Sequence, residues 1–108
     1  MSEEIEVRNA VVESAEIYRD MTHTTVTVML SYGRLGSQSA GTHVLTEPLV
    51  RRLLEVAGAD RWSDLPGKIV RARASRSGGV VAIGHAIEED WLDFKAFLAG
   101  LEIDDLPM

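Results

Sequence analysis

The chain has 108 residues, 45% of them hydrophobic and 26% charged, which fits one globular domain and leaves too little length for two separate cores. Its zero cysteines exclude disulfides, thiolate metal sites and cysteine nucleophiles. A net charge of -6 argues against a general duplex-nucleic-acid binder, whose affinity comes mostly from neutralising phosphates. No apolar run approaches the roughly 20 residues of a membrane helix. The acidic opening Met1-Ser2-Glu3-Glu4 is unlike a positively charged secretory leader, so the cytoplasm is the expected compartment.

Ile5 to Tyr18 is rich in Val and Ile and reads as a long strand with room for a bulge, followed by a turn at Arg19-Asp20-Met21-Thr22. From Thr24 to Tyr32 the chain alternates. Val26, Val28, Leu30 and Tyr32 face one way, and Thr25, Thr27, Met29 and Ser31 the other. Gly33-Arg34-Leu35-Gly36 turns the chain into a polar third strand, Ser37 to Leu45, which completes an antiparallel meander.

At Thr46 the period changes. Thr46 suits an N-cap, with Glu47 and Pro48 in the first helical turn. Leu49, Val50, Leu53, Leu54, Val56 and Ala57 then make an apolar stripe at helical spacing, and Gly58 is a natural stop. Asp60 can cap a short helical turn that sends Trp62 and Leu65 inward before Pro66-Gly67. Strands follow at Ile69 to Arg76 and Val80 to Ile87, joined by Ser77-Gly78-Gly79. A terminal helix, Asp90 to Ala99, would place Trp91, Phe94, Leu98 and Leu101 on one face. The fold class is therefore α+β: an antiparallel N-terminal sheet, a central helix with a short helical turn, a C-terminal β-hairpin and a terminal helix. Residues 1–101 form the domain, and residues 102–108 an acidic, mobile tail.

Charge divides along the chain. Residues 1–33 hold two cations against six acids, residues 34–76 eight against four, and residues 77–108 one against seven. Seven of the eight central cations are arginine, the residue best suited to bidentate recognition of phosphate. With Gly78-Gly79 as the turn, Val70 opposes Ile87, Ala72 opposes His85, Ala74 opposes Ile83 and Arg76 opposes Val81 on an apolar face. Arg71 opposes Ala86 and Arg73 opposes Gly84 on the other, where nothing large covers them and no carboxylate faces them. A turn at Ser77-Gly78 keeps the same faces. Arg71 and Arg73 are thus the leading candidates to clamp an anion, with Arg51, Arg52 or Arg34 closing the site and Tyr32 as its aromatic. The competing reading is a solvated arginine surface.

Signals for catalysis are weak. His23, His43 and His85 lack partners at metal-ligand spacing, and His85 reads as a buried residue with a satisfied hydrogen bond. No serine sits in a Gly-x-Ser-x-Gly context. Glu88-Glu89-Asp90 lacks calcium-loop spacing and suits a helix start. No enzyme activity, catalytic residue, metal or cofactor is expected.

Trp62-Ser63-Asp64-Leu65-Pro66-Gly67-Lys68, then Val81-Ala82-Ile83-Gly84-His85 and Glu89-Asp90-Trp91-Leu92-Asp93, resemble a family of small uncharacterised phage and prophage proteins. That family's glycine-rich turn is kept here as Tyr32-Gly33, Gly36, Gln38 and Gly41, without an aromatic and a second glycine near Ala40 to His43. The order of elements is also similar to that of phage Thoeris anti-defence sponges, oligomers that sequester cyclic-nucleotide-like signals. These resemblances imply a non-enzymatic phage or prophage protein in the host-cell cytoplasm. It would form a homo-oligomer and block a defence by binding a small phosphorylated nucleotide. The alternatives are an acidic, anti-CRISPR-like inhibitor of a host defence nuclease complex, and a structural or replication-associated phage protein.

Overall fold

Apolar residues at every second position generate the first two strands of the computed structural model, which describes residues 5–21, 23–42, 47–75 and 79–105. Strand β1 spans Glu6–Asp20, β2 spans His23–Ser31 and β3 spans Ser37–Thr42, with a 3-10 turn at Gly33–Leu35 between the last two. The alternation in β2 holds: Val26, Val28 and Leu30 are almost completely buried. Helix α1, Glu47–Ala57, buries Leu49, Leu53, Val56 and Ala57, the i, i+4, i+7, i+8 stripe of an amphipathic helix. Gly58, at φ 70°, takes the left-handed conformation that ends it. A second 3-10 turn, Trp62–Asp64, sets Leu65 in the core and half-buries Trp62, whose indole Nε1 donates to the Ala15 carbonyl at 3.0 Å.

Strands β4 (Ile69–Ser75), β5 (Gly79–His85) and β6 (Trp91–Asp93) complete one antiparallel six-stranded sheet in the order β3-β2-β1-β4-β5-β6. The long β1 unites its halves. Residues Glu6–Val11 pair with β4, and Val11–Asp20 pair with β2. Register shifts between Val12 and Ser14, where β1 changes partner, and Val12 exchanges backbone bonds with Lys68 and Gly67 (2.9 and 2.8 Å). The sheet curls until β3 lies alongside β5, and α1 packs on β4, β5 and β6. A meander, a helix and a hairpin sharing one long first strand form a partly open Greek-key barrel of the OB type, with β6 added outside it. No helix among the described residues is long and apolar enough to cross a membrane.

Four expectations need correction. The hairpin register is offset by two: Val70 opposes His85, Arg71 opposes Gly84, Ala72 opposes Ile83 and Arg73 opposes Ala82. From Val70 to Arg73 the shift is even, so these side chains keep their faces and the arginines still point away from the core. A bulge between Arg73 and Ala74 then pairs Ala74 with Val80 rather than Ile83, so Val80 packs on the core and Val81, expected on the apolar face, is exposed. Strand β5 stops at His85 rather than Ile87 because His85 Nδ1 accepts the Ile87 and Glu88 N–H groups at 3.1 and 3.0 Å, turning the chain aside. The terminal helix does not begin at Asp90. Trp91–Asp93 pairs instead with Ala82–Gly84 on the edge of β5. Helix α2, Phe94–Asp105, follows, with Asp93 Oδ1 accepting the Ala96 N–H at 2.9 Å as an N-cap does. It runs into the acidic segment expected as a tail. The Thr46 cap, His43, the residue pair Ser77-Gly78 and residues 106–108 lie outside the described residues.

Candidate functional site

Arg71 and Arg73 converge on Trp91. Strand β6 carries it directly opposite Gly84, and the missing side chain there lets the indole lie on the sheet. Arg73 places its guanidinium carbon 3.9 Å from the Trp91 ring centroid, and Arg71 places its own at 5.0 Å. Both arginines therefore have a large neighbour, contrary to the expectation from the hairpin alone. The cover comes from a third strand that the helical reading of residues 90–99 had concealed.

The two arginines differ in what else they hold. Arg71 Nε donates to the His85 carbonyl at 2.8 Å, and its Nη2 donates to the Glu88 carbonyl at 2.7 Å and lies 3.0 Å from Glu89 Oε1. The expectation that no carboxylate reaches Arg71 is thus corrected: Glu89 does, from the β5–β6 connection. The Trp91 indole N–H donates to Glu89 Oε2 at 3.2 Å. That bond and the Arg71 contact hold the Glu89 carboxyl below its ordinary range. Arg73 makes no hydrogen bond or salt bridge among the described residues. It stacks on Trp91 and adds its charge to the field at Glu89.

Arg52 braces the same segment from α1. Its guanidinium donates to Glu55 Oε1 (2.8 Å), Asp90 Oδ1 (2.7 Å) and the Trp91 carbonyl (3.2 Å). The hydrogen bond from Arg52 keeps the Asp90 carboxyl below its usual value. His85 is half-buried rather than buried, and its Nδ1 is an acceptor for two backbone N–H groups. The segment from His85 to Trp91 is consequently held by side chains from both sides.

Tyr32 sits elsewhere, in a cavity of about 250 Å³ at the open end of the barrel. Its neighbours there are Arg8, whose guanidinium carbon lies 5.5 Å from the ring centroid, and Gln38, whose Oε1 accepts the Tyr32 hydroxyl at 2.7 Å. Gln38 Nε2 donates in turn to the Ser75 carbonyl at 3.4 Å, bridging β3 to β4. Arg8 also pairs with Glu6 at 2.7 Å. Burial pushes the Tyr32 phenol upward against the opposing pull of Arg8.

Of the six residues singled out from sequence, Arg71 and Arg73 meet at Trp91, and Arg52 reaches the backbone carbonyl of the same residue. Arg34 is exposed on the Gly33–Leu35 turn and does not line the Tyr32 cavity. Arg51 is exposed on α1, paired with Glu47 at 3.1 Å, and borders a separate shallow groove with Val50, Leu54 and Asp60. Sequence reasoning missed Trp91, Arg8 and Gln38 as site residues. Alternation along β1 and β2 puts Arg8 and Tyr32 on the inward face, a signal that was readable. Comparison with family models, with curated proteins and with solved structures finds no match for this chain.

Proposed function

We propose that the protein is a non-enzymatic phage or prophage anti-defence protein that sequesters a small phosphorylated, cyclic-nucleotide-like signal in the host-cell cytoplasm. Arg73 on Trp91 carries this reading. A guanidinium stacked on an indole is held in position while its N–H groups stay available for an acceptor. Arg71 is committed to His85, Glu88 and Glu89, so its role is to set the platform rather than to close on the ligand. The pairing of Arg71 with Glu89 leaves the cluster with the positive charge of Arg73. A phosphate brought there gains charge-assisted bonds of roughly 1.5–3 kcal/mol each. The phage assignment rests on the motif resemblance.

A homo-oligomer belongs to the same reading. Val11 and Ile69 stand opposite each other on the outward face of the sheet, 42% and 60% exposed, and offer apolar area to a second copy. Native mass spectrometry after expression in a host with active nucleotide signalling reports assembly and any co-purifying nucleotide together. Calorimetry against a panel of cyclic nucleotides tests the site. Arg73→Ala is expected to bind at least tenfold more weakly than the parent chain. Equal affinity in the variant, or no heat with the parent, overturns the site and favours an acidic inhibitor of a host defence nuclease.

A further inference from the structure

We infer that the cavity at the open end of the barrel is a second ligand site, which takes an uncharged, planar, hydrogen-bond-accepting ring of the nucleobase class. Its walls come from inward-facing positions of four strands or their ends. Arg8 belongs to β1, Tyr32 follows β2, Gln38 is in β3, and Ala74 with Ser75 closes β4. Barrel mouths are recurrent places for small-molecule sites because inward side chains converge there without closing over. This cavity is on the opposite face of β1 and β4 from Arg73, so it is not an extension of the Trp91 cluster.

Size, charge and hydrogen bonding together select the ligand. At about 250 Å³ the space lies below the roughly 300–1,000 Å³ typical of sites for drug-sized ligands, which suits one ring system rather than a dinucleotide. The one cation there, Arg8, is held by Glu6, which removes the advantage a phosphate would find at Arg73. Donors nevertheless remain. Arg8 engages Glu6 through Nε and Nη2, so its Nη1 donates to no described residue. Gln38 Nε2 carries two N–H bonds and gives one to Ser75. The Tyr32 ring supplies a flat wall, and its hydroxyl fixes the Gln38 amide with the oxygen toward Tyr32. A heterocycle with ring nitrogens or carbonyls as acceptors matches this set, and its exocyclic amine has Gln38 Oε1 as an acceptor.

Phosphate-free nucleosides are the discriminating probes. Adenosine, guanosine, cytidine and uridine are titrated separately into the isotope-labelled full chain and followed by NMR. At least one should move the Tyr32 and Gln38 signals saturably. Arg8→Ala should weaken that binding at least fivefold, and Tyr32→Phe, which keeps the ring but releases Gln38, at least threefold. If Arg8→Ala does not fold, Tyr32→Phe decides. Arg73→Ala should leave nucleoside affinity unchanged, so failure of the phosphate reading and failure of this one are separately visible. No response at Tyr32 to any of the four nucleosides, or unchanged affinity in Tyr32→Phe, overturns the assignment.

Discussion

Trp91 lies so close upon Gly84 that a methyl group on residue 84 would fall 2.5 Å from Trp91 Cε3 and 2.6 Å from Cδ2. The two residues are direct cross-strand partners in β5 and β6, so register sets the base of the Trp91 indole against the backbone of residue 84. Gly84→Ala must therefore lift the indole, and with it the platform under Arg73. The expected cost is about 1–3 kcal/mol of overpacking. Chemical unfolding measures the loss, and the Trp91 indole N–H resonance reports the displacement. An unchanged midpoint together with an unmoved indole signal contradicts the packing described.

Leu53 is the corresponding anchor on the other layer. It is 2% exposed at the centre of the α1 stripe, where the helix meets β4, β5 and β6. Leu53→Ala removes buried carbon and leaves a cavity under α1. A loss of roughly 2–5 kcal/mol is expected. Urea denaturation of the two chains provides the comparison, and a difference below half a kcal/mol would mean that the helix packs by another face.

The elements legible in the sequence are those whose pattern is local. The alternation of Val26, Val28 and Leu30 and the helical spacing of Leu49, Leu53 and Val56 depend only on neighbours within the same segment, and both survive folding. The outward direction of Arg71 and Arg73 was legible for the same reason. Their surroundings were not, because Trp91 reaches them by adding a third strand, and Asp-Trp-Leu-Asp-Phe carries apolar spacing compatible with a helix. Asp93 rather than Asp90 provides the cap, which delays α2 by enough residues to create β6. The inward direction of Arg8 and Tyr32 was legible from alternation, but the cavity was not, because its far wall comes from β1–β4 pairing, which brings Ala74 and Ser75 beside Glu6 and Arg8.

Acid should loosen the β5–β6 connection before the core. The Trp91 N–H and Arg71 lower the Glu89 carboxyl below 4.5, and Arg52 lowers that of Asp90 below 3.8. A carboxyl lowered on folding adds stability that is complete above its unfolded value and is lost as pH falls through the folded one. These two contributions are thus constant between pH 7 and 5 and decline below about pH 4.5, beginning with Glu89. Both carboxyls are open to solvent, so salt should diminish the effect. Glu89→Gln with Asp90→Asn should flatten the acid limb of a stability–pH profile. An acid limb as steep as that of the parent chain would show that other carboxyls carry it.

Arg71 and Arg73 provide the sharpest contrast, since two arginines two residues apart on one strand should respond unequally to truncation. Arg71 is only 18% exposed and satisfies two backbone carbonyls, His85 and Glu88, while pairing with Glu89. Arg71→Ala strands those groups and releases the segment that holds Trp91. A destabilisation of about 1–3 kcal/mol is expected, with increased hydrogen exchange between His85 and Trp91. Arg73→Ala gives up the stacking on Trp91 and no hydrogen bond to a described residue, a loss of about 0.5–1 kcal/mol. In ligand binding the order reverses: Arg73→Ala abolishes the anion contact in a folded protein, whereas Arg71→Lys, which retains the charge, affects binding only as far as it disturbs Trp91. Thermal melts and calorimetry on the same three preparations separate the two roles. Equal destabilisation by both alanine variants would remove the distinction between a supporting arginine and a free one, and with it the case for Arg73 as the anion contact.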